Sequence, residues 1–330
     1  MVEPRVVVVV SNYSGTTTLY RNRPIIDICL ESLKRTSYKN YKVVVVDDCS
    51  PDNSVEHIKA KFPNVALLKG RTNVGFARST NNGITFALGL NPSYVLLLNN
   101  DIIITDRDWL GKLVEVAESD KGIGIVGCKL VYPNGKIQHA GVLAGITPRC
   151  RGRAEPDKGQ YDRVEDMEAV VLAATLIKKA VIKKIGMLDG NFFMGYEDTD
   201  YCIMARYAGF RVVYDGEVEL THLEGATSTD HKDKSMQDTM FYTYQRNYAY
   251  YTMKHFGMFK KVQAAFVELA ASIIAIESKD RARGLGSVRL KSRPLWRLGK
   301  TIQAAFDGYA IYKSGRRYQS DHRFVVIRNV

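Results

Sequence analysis

The chain has 330 residues, of which 45% are hydrophobic and 25% charged, so it can bury a sizeable core as an ordinary globular protein does. Its formal net charge is +12, and the whole excess lies in residues 231–330, which hold 19 basic and 7 acidic residues. Five scattered cysteines without a C-x-x-C pair argue against a disulfide framework or a structural zinc site, and they favour a reducing compartment.

Apolar runs and helical patterns alternate through the first hundred residues. The five valines that follow Pro4 and Arg5 predict a strand rather than an export signal. Apolar runs that lack two-residue alternation and are separated by helices indicate parallel strands covered on both faces. We therefore predict strands at 5–10, 41–50, 65–70 and 94–98, and helices at 24–36, 54–62 and 76–88.

Polar residues follow three of these four strands. They are Ser11-Asn12-Tyr13, Asp47-Asp48 and Asn99-Asn100-Asp101. Asn and Asp are ordinary turn residues, and a single cluster would need no further explanation. Ligands of parallel sheets bind at the carboxyl ends of the strands, however, and three clusters at that edge predict a binding site.

The remainder of the chain divides into a mixed middle part and a basic tail. Residues 147–166 are rich in charge, Pro and Gly, and this composition predicts a mobile loop. The tail has helical patterns with Tyr, Phe and basic residues, and it closes on a strand-like run at 323–329. We predict a neutral α/β domain at 1–230 and a basic, mainly helical region at 231–330. The longest lightly interrupted apolar stretch, 264–276, is too short to span a bilayer.

The sequence lacks the two glycine-rich phosphate-binding signatures. No G-x-G-x-x-G follows the first strand, and no G-x-x-x-x-G-K-[ST] occurs, so dinucleotide and P-loop sites lose their support. Without such loops, a nucleotide diphosphate would need a divalent metal held by carboxylates to offset its charge.

Four motifs in order resemble family 2 glycosyltransferases of the GT-A fold, in the rhamnosyl- and galactofuranosyl-transferase-like branch. They are VVVVDDCSPDNS, TNVGFARSTNNGI, YVLLLNND and GMLDGNFFMGYEDTDYCIMARYAGFRVVY. The resemblance covers about residues 5–230 and implies a Rossmann-like, mostly parallel α/β sheet with helices on both faces, plus a helical C-terminal extension. It also implies that 1–230 is a nucleotide-sugar-binding and catalytic domain. The implied reaction is inverting transfer of a sugar from a UDP-, dTDP- or GDP-linked donor, with Mn²⁺ or Mg²⁺, to a glycan or polyprenyl-linked hydroxyl.

The resemblance assigns the nucleotide contacts residue by residue. Ser11 and Tyr13 would flank the base, and Asp48 would accept a hydrogen bond from its imide N–H. Gly75 would allow close backbone approach, and Arg78 would contact the nucleotide or its phosphates. A solvated helix arginine is the alternative for Arg78, and a turn cap is the alternative for Asp48.

The same resemblance assigns the metal ligands. Asp101 matches the last Asp of the metal-binding D-x-D motif, and His222 matches a histidine that completes the metal shell. The chain departs from the pattern at Asn99, which stands where the first Asp is usual and would reach the ribose or a metal-bound water. Asn100 is grouped with Asn99 as a nucleotide contact.

Three acids at a predicted helix start supply the candidate base. The resemblance places the base at Asp198, while Glu197 and Asp200 would bind the acceptor or orient the site. A carboxylate near the acceptor hydroxyl can remove its proton as the sugar carbon is attacked. Acids that merely favour the helix dipole are the alternative.

Three other functions remain as alternatives. A sugar nucleotidyltransferase would need a Gly-rich signature with a basic residue in the first loop, which SNYSGTTTLYRNRP lacks. A processive synthase would carry Q-x-x-R-W and membrane spans, but the only tryptophans, Trp109 and Trp296, lie outside that motif, so a non-processive enzyme is favoured. A nucleic-acid-binding protein would use the basic tail but leaves the acidic strand ends unexplained, and we expect no nucleic-acid partner.

The basic tail suits an anionic membrane surface. Polyprenyl-linked acceptors occur at such a surface, and Trp296, Phe256 and Phe259 would act as interfacial anchors. We therefore expect a cytoplasmic protein, peripheral at the inner face of the cell membrane, with a homo-oligomer contact as the other use of the tail.

Overall fold

Strands and helices alternate through the first 119 residues of the protein, as the apolar runs predict. The structure, a computed structural model, describes residues 3–224, 234–273, 294–316 and 324–328. The elements of this first part are β1 (Val6–Asn12), β2 (Leu19–Tyr20), β3 (Arg23–Pro24), α1 (Ile25–Leu33), β4 (Tyr41–Asp47), α2 (Ser54–Lys61), β5 (Ala66–Gly70), α3 (Phe76–Gly89), β6 (Tyr94–Asn99), β7 (Ile102–Ile103) and α4 (Trp109–Ser119).

Short strands and two helices follow, and then the chain becomes mainly helical. The middle part contains β8 (Ile123–Val131), β9 (Ile137–His139), β10 (Val142–Leu143), β11 (Arg149–Cys150), β12 (Val164–Asp166), β13 (Ala174–Lys178), α5 (Lys179–Ile185), α6 (Glu197–Tyr207) and β14 (Arg211–His222). The C-terminal region contains α7 (Lys234–His255), α8 (Met258–Ile273), α9 (Pro294–Ser314) and β15 (Phe324–Arg328).

One large sheet carries the fold, in the strand order β12-β14-β8-β13-β6-β1-β4-β5-β15. The four strands predicted from the first hundred residues are neighbours and run parallel. β13 lies antiparallel between β6 and β8, and β15 lies antiparallel on β5. β14 also pairs in parallel with β8, so parallel pairs occur in both halves of this mixed sheet. The α/β fold class is confirmed.

Both faces of the central strands are buried, which explains the unbroken valine runs. Val6, Val8 and Val10 of β1 face one core with side chains from α1, α2 and α4. Val7 and Val9 face a second core with side chains from α3, α5 and α6. A strand with solvent on one face would alternate apolar and polar residues, whereas β1 has no such face.

The segment 147–166, predicted to be a mobile loop, is instead held by ion pairs. Lys129 is buried in β8, and its Nζ lies 2.7 Å from Asp157, 2.5 Å from Asp162 and 3.1 Å from Glu219. Charge and glycine content alone cannot reveal this arrangement, because the partner lysine comes from a distant strand. The segment is therefore attached to β8 through Lys129 and to β14 through the pairing of β12.

The C-terminal region packs as helices and then returns to the sheet. α7 packs on α9 at Gly308, where an added Cβ would lie 2.8 Å from Ala249 Cβ, so the helices approach closely. β15 pairs with β5 at the sheet edge, so the predicted region 231–330 contributes one strand to the sheet of residues 1–230. The basic run 281–293 lies outside the described residues, and no helix of the described part is long and apolar enough to span a membrane.

Candidate active site

The polar ends of three strands lie together at one edge of the sheet. Because β1 pairs in parallel register with β4 and β6, Ser11 is opposite both Val46 and Asn99, and Asn12 is opposite Asp47. The edge is the carboxyl end of the parallel strands, where α/β proteins bind ligands. The predicted convergence of these residues is therefore present in the structure.

A buried chain of hydrogen bonds holds the side chains at this edge in place. Asn12 Nδ2 donates to Asp47 Oδ2 at 2.7 Å, and Asn100 Nδ2 donates to Asn12 Oδ1 at 2.8 Å. Burial raises the pKa of Asp47, although hydrogen bonds from Ser50 and Asn12 oppose it. The Asn100 amide is thus used inside the protein, and its predicted nucleotide contact stays a prediction. Asn12 and Asp47 were recognised in the sequence only as strand-end residues.

Asp48 and Gly75 form one structural unit. The carboxylate of Asp48 accepts hydrogen bonds from the backbone N–H groups of Val74 at 3.0 Å and Gly75 at 2.9 Å. Gly75 has a φ of +84°, and a Cβ at this position would lie 2.4 Å from the carbonyl oxygen of Phe193. Only glycine fits there. The contact joins the carboxylate predicted to bind the base to the loop that precedes the predicted catalytic acids.

Ser11 and Arg78 connect the same edge to its surroundings. Ser11 Oγ lies 2.8 Å from Thr80 Oγ1 on α3, and Arg78 Nε donates to the carbonyl of Gly190 at 2.8 Å. Tyr13 is half-buried directly after β1. The structure brings all three predicted nucleotide contacts to the same edge, and their roles stay predictions.

Asp101 and His222, the two predicted metal ligands, are neighbours. The short strand β7 pairs with the end of β14 in a register that sets His222 opposite Ile102, and Leu223 N–H donates to Asp101 O at 3.0 Å. As a result, His222 Nε2 lies 3.1 Å from Asp101 Oδ1, and both side chains are buried. More than a hundred residues separate them in sequence, so the proximity is a product of the fold.

A relay of hydrogen bonds orients the imidazole of His222. Its Nδ1 lies 2.6 Å from Gln138 Oε1, while Gln138 Nε2 donates to Glu224 at 3.0 Å, and Arg153 donates to Glu224 at 2.5 Å. Because a carboxylate only accepts, the amide of Gln138 must direct its oxygen toward Nδ1–H. Nε2 is then left to face Asp101. The sequence analysis missed Gln138, Glu224 and Arg153.

The facing atoms suit a divalent cation. Within the described residues, the buried Asn99 Oδ1 accepts no hydrogen bond, and Asp101 Oδ1 has His222 Nε2 beside it at 3.1 Å. A carboxylate oxygen and an imidazole nitrogen at this separation repel each other unless a proton or a metal ion lies against both. The described part of the chain contains no cluster of three or more His, Cys, Asp or Glu residues that could hold a metal ion. Asp101 and His222 are the two predicted metal ligands that the structure brings together.

The electrostatics of His222 reflect the same contact. Burial alone would lower the pKa of His222, but the neighbouring Asp101 carboxylate outweighs burial and raises the pKa. Burial would likewise raise the pKa of Glu224, but Arg153 outweighs burial and lowers it. The relay therefore ends in a carboxylate that stays ionised and fixes the Gln138 amide.

The candidate base lies at the start of α6. Tyr196, in a left-handed conformation with a φ of 76°, turns the chain into the helix at Glu197. Burial, followed by the charge of Asp198, raises the pKa of Glu197 to about 8, and burial also raises the pKa of Asp198. Asp198 is half-buried and Glu197 is buried, so Asp198 is the more accessible acid. The negative charge of Asp198 therefore disfavours ionisation of the adjacent Glu197 carboxyl.

Asp200, the third acid, points to a different helix. Its carboxylate is fully buried and lies 2.6 Å from His255 Nε2 and 2.8 Å from Lys254 Nζ, both on α7. Burial would raise the pKa of Asp200, but the hydrogen bond from His255 and the charge of Lys254 outweigh burial and lower the pKa. Of the two predicted roles of Asp200, this geometry favours orienting the site over binding the acceptor.

Part of the chain matches a known protein family. Residues 16–159 match the profile of the family described as Glycosyl transferase family 2. Over these residues, the chain is similar to family 2 glycosyltransferases. A curated relative, the uncharacterized protein y4gI of Sinorhizobium fredii, is 30% identical over 214 residues, which is 61% of this chain and 23% of that protein. The N-acetylglucosaminyl-diphospho-decaprenol L-rhamnosyltransferase of Mycobacterium tuberculosis is 22% identical over 230 residues, which is 62% of this chain and 73% of that protein.

Comparison with solved structures addresses the fold. The mannosyltransferase PcManGT of Pyrobaculum calidifontis, solved with GDP-Man and Mn²⁺, aligns with a TM-score of 0.54 and 16% identity, covering 96% of this chain and 89% of that one. The GT-A fold is thereby confirmed. The chain spans less than a quarter of the length of y4gI.

α7 lies against the loop that precedes the three acids of α6. Arg246 donates to the carbonyl of Asn191 at 3.1 Å, and Asn247 donates to the carbonyls of Met194 at 3.0 Å and Gly195 at 3.1 Å. These backbone contacts fix the chain just before α6. The sequence offered no signal for them beyond a polar pair within an aromatic helix.

Proposed function

We propose that the protein transfers one sugar from a nucleotide diphosphate donor to a hydroxyl acceptor, with inversion and with help from a divalent cation. The observation that carries the proposal is the opposed pair Asp101 Oδ1 and His222 Nε2, buried 3.1 Å apart beside the ends of the parallel strands. A diphosphate needs such a cation in a sheet that lacks a glycine-rich phosphate loop.

Donor binding is assigned to the edge formed by β1, β4 and α3. Ser11 and Tyr13 would flank the base, Asp48 would accept from its imide N–H, and Arg78 would contact the phosphates. Asp48 already accepts from two backbone N–H groups, and a carboxylate has further lone pairs to offer. Asn99, whose buried Oδ1 accepts no hydrogen bond within the described residues, is placed to meet the ribose or a metal-bound water.

Asp101 and His222 would hold Mn²⁺ or Mg²⁺. The bound cation would offset the negative charge of the diphosphate leaving group. Gln138 would keep the His222 imidazole in the tautomer that leaves Nε2 free, and Glu224 with Arg153 would keep Gln138 in place. Partners of this kind orient a ligand without touching the metal.

Asp198 would act as the general base. It would accept the proton of the acceptor hydroxyl while that oxygen attacks the sugar carbon, and the nucleotide diphosphate would leave from the opposite side. Glu197, whose pKa is raised to about 8, would stay protonated and reduce the negative charge beside the reacting oxygen. Asp200 would hold the start of α6 through its contacts with α7.

A lipid-linked acceptor is the favoured class. The rhamnosyltransferase relative is named for N-acetylglucosaminyl-diphospho-decaprenol, and such a polyprenyl acceptor is confined to a membrane surface. A cytoplasmic protein that docks on the inner face of the cell membrane would meet it there. The basic residues of 231–330 suit that location.

Nucleotide binding tests the proposal directly. UDP, dTDP and GDP are added to the protein with and without Mn²⁺, and thermal unfolding is recorded for wild type, Asp101→Ala and the control Asp106→Ala. Asp106 is a partly exposed acid that pairs with Lys112, outside the site. One nucleotide should stabilise wild type and the control more strongly with Mn²⁺, and Asp101→Ala should lose that gain. Equal metal-dependent stabilisation of Asp101→Ala would contradict the ligand assignment.

A further inference from the structure

Two helices of the C-terminal region expose their apolar faces. In α8, Phe259 is 84% exposed and Phe266 69%, and Val262 lies between them on the same face at spacings of three and four residues. Ala264, on the opposite side, is buried. An amphipathic helix that packed only on its own protein would carry these residues inward.

α9 has the same inverted arrangement. Its inward face consists of small or polar residues, Arg297, Thr301, Ala304 and Gly308, which pack toward the protein. Its outward face carries Leu295, Ile302, Phe306 and Tyr309, with Leu295 83% and Phe306 71% exposed. We call the outward residues of α8 and α9 the apolar stripes. A pair of stripes of this size on neighbouring helices indicates a surface that another apolar body covers.

Basic residues accompany the stripes. Lys260 lies over the ring of Phe256 and Lys261 over the ring of Tyr312, so both lysine stems run along aromatic surface. Lys313 is exposed and continues the outward line of α9, four positions after Tyr309. The sequence ranges 258–273 and 294–316 contain six basic and two acidic residues.

The charge decides between the possible occupants. A second copy of the chain would bring one basic surface against another, which like-charge repulsion disfavours. An anionic lipid surface instead offers acyl chains to the aromatic residues and phosphates to the lysines. We infer that the apolar stripes of α8 and α9 dock the protein on an anionic phospholipid bilayer, with Phe259, Phe266 and Phe306 inserted below the headgroups.

This inference rests on the membrane partner of the proposed function and names the protein surface that contacts the membrane. It also changes which residues act as membrane anchors, compared with those predicted from the sequence. Phe256 packs against Tyr251 with ring centroids 5.6 Å apart, and Trp296 packs against Phe241 at 5.9 Å, so both are half-buried among side chains of the protein. Among the three predicted anchors, Phe259 alone is exposed. The stripes also need no contribution from the basic run 281–293.

Vesicle flotation with the full chain tests the inference. Vesicles of phosphatidylcholine, alone or mixed with phosphatidylglycerol, are incubated with wild type, with Phe259→Gln/Phe306→Gln and with the control Val326→Thr. Val326 is an exposed apolar residue of β15, at the edge of the sheet. Wild type and the control should float with phosphatidylglycerol vesicles, and the double variant should bind at least about tenfold more weakly, because two phenylalanines no longer leave water. Added salt should weaken wild-type binding without abolishing it.

Three results would overturn the inference: no wild-type flotation with anionic vesicles at low salt, equal flotation of the double variant, or a wild-type dimer in light scattering that the double variant dissociates while vesicles are ignored. Unchanged thermal unfolding of the double variant confirms that it is folded. Vesicle binding requires neither donor nor metal. A protein that floats but binds no nucleotide refutes the proposed function alone, and one that binds nucleotide but does not float refutes this inference alone.

Discussion

Replacing Lys254 by methionine should destabilise the protein by several kcal/mol, although Lys254 belongs to the basic tail of the sequence. Its Nζ lies 2.8 Å from Asp200 and 2.8 Å from Asp189, and both carboxylates are buried. Removing one partner of a buried ion pair costs about 3–5 kcal/mol, because a charge is left without compensation. His255 still contacts Asp200 at 2.6 Å, so we expect a loss near the lower limit, about 3 kcal/mol.

Urea unfolding of Lys254→Met measures this loss, with Lys112→Met as the matched control. Lys112 pairs with Asp106 at 2.7 Å, but both side chains are substantially exposed. An exposed pair contributes about 0–1 kcal/mol, so the control should unfold almost as wild type does. The double variant Asp200→Asn/Lys254→Met should recover part of the loss, because it buries no unpaired Asp200 charge. A loss for Lys254→Met no larger than that of the control would refute the reasoning.

The loss should also depend on pH in a definite direction. The pKa of Asp200 is lowered in the folded protein, because His255 and Lys254 outweigh burial. A carboxylate with a lowered folded pKa contributes stability above its unfolded pKa of about 3.9, and that stability is lost as pH falls through the folded pKa. The difference between wild type and Lys254→Met should therefore be constant near neutral pH and shrink in acid.

Three further predictions concern the site. Asp198→Asn should retain donor affinity in calorimetry but lower kcat by roughly 10²–10⁴-fold, and near-normal turnover would move the base to another acid. Gln138→Leu should weaken Mn²⁺ binding by about 10–100-fold, because His222 loses the acceptor that sets its tautomer. An unchanged Mn²⁺ affinity in a direct metal titration would show that the hydrogen bonds from Gln138 do not orient His222 for the metal. Gly75→Ala should reduce both stability and nucleotide binding, because the added Cβ would lie 2.4 Å from Phe193 O. A urea midpoint equal to that of wild type would contradict this, since it would mean that the loop at Phe193 can move aside.

The sequence was most informative where local pattern and fold agree. A strand buried on both faces requires an unbroken apolar run, and β1, β4 and β6 have one, so their parallel arrangement followed. β13 has the same character, yet its antiparallel position between β6 and β8 depends on pairing with distant strands. No property of residues 174–178 alone specifies that direction.

The candidate site shows the same division. Asp101 and His222 were predicted because the family resemblance matches each of them to a metal ligand, and the structure places Asp101 just after β6 and His222 at the end of β14. Gln138, Glu224 and Arg153 come from three separate segments, and only the pairing of strands and the ion pairs of residues 149–166 bring them together. The exposure of Phe259 and the burial of Trp296 were equally hidden, because a helix pattern shows which residues share a face but not which way the face points.

The last strand, β15, affects how the protein folds. Arg328 donates to the carbonyl of Phe62 across 266 residues, and β15 covers the edge of β5. Until β15 arrives, the backbone groups of β5 are open to pairing with another chain, a known route to aggregation. Contacts between such distant residues also form slowly, since a long loop must close first. An expression design that keeps Phe324–Arg328 unobstructed should therefore improve the yield of folded protein more than its five residues suggest.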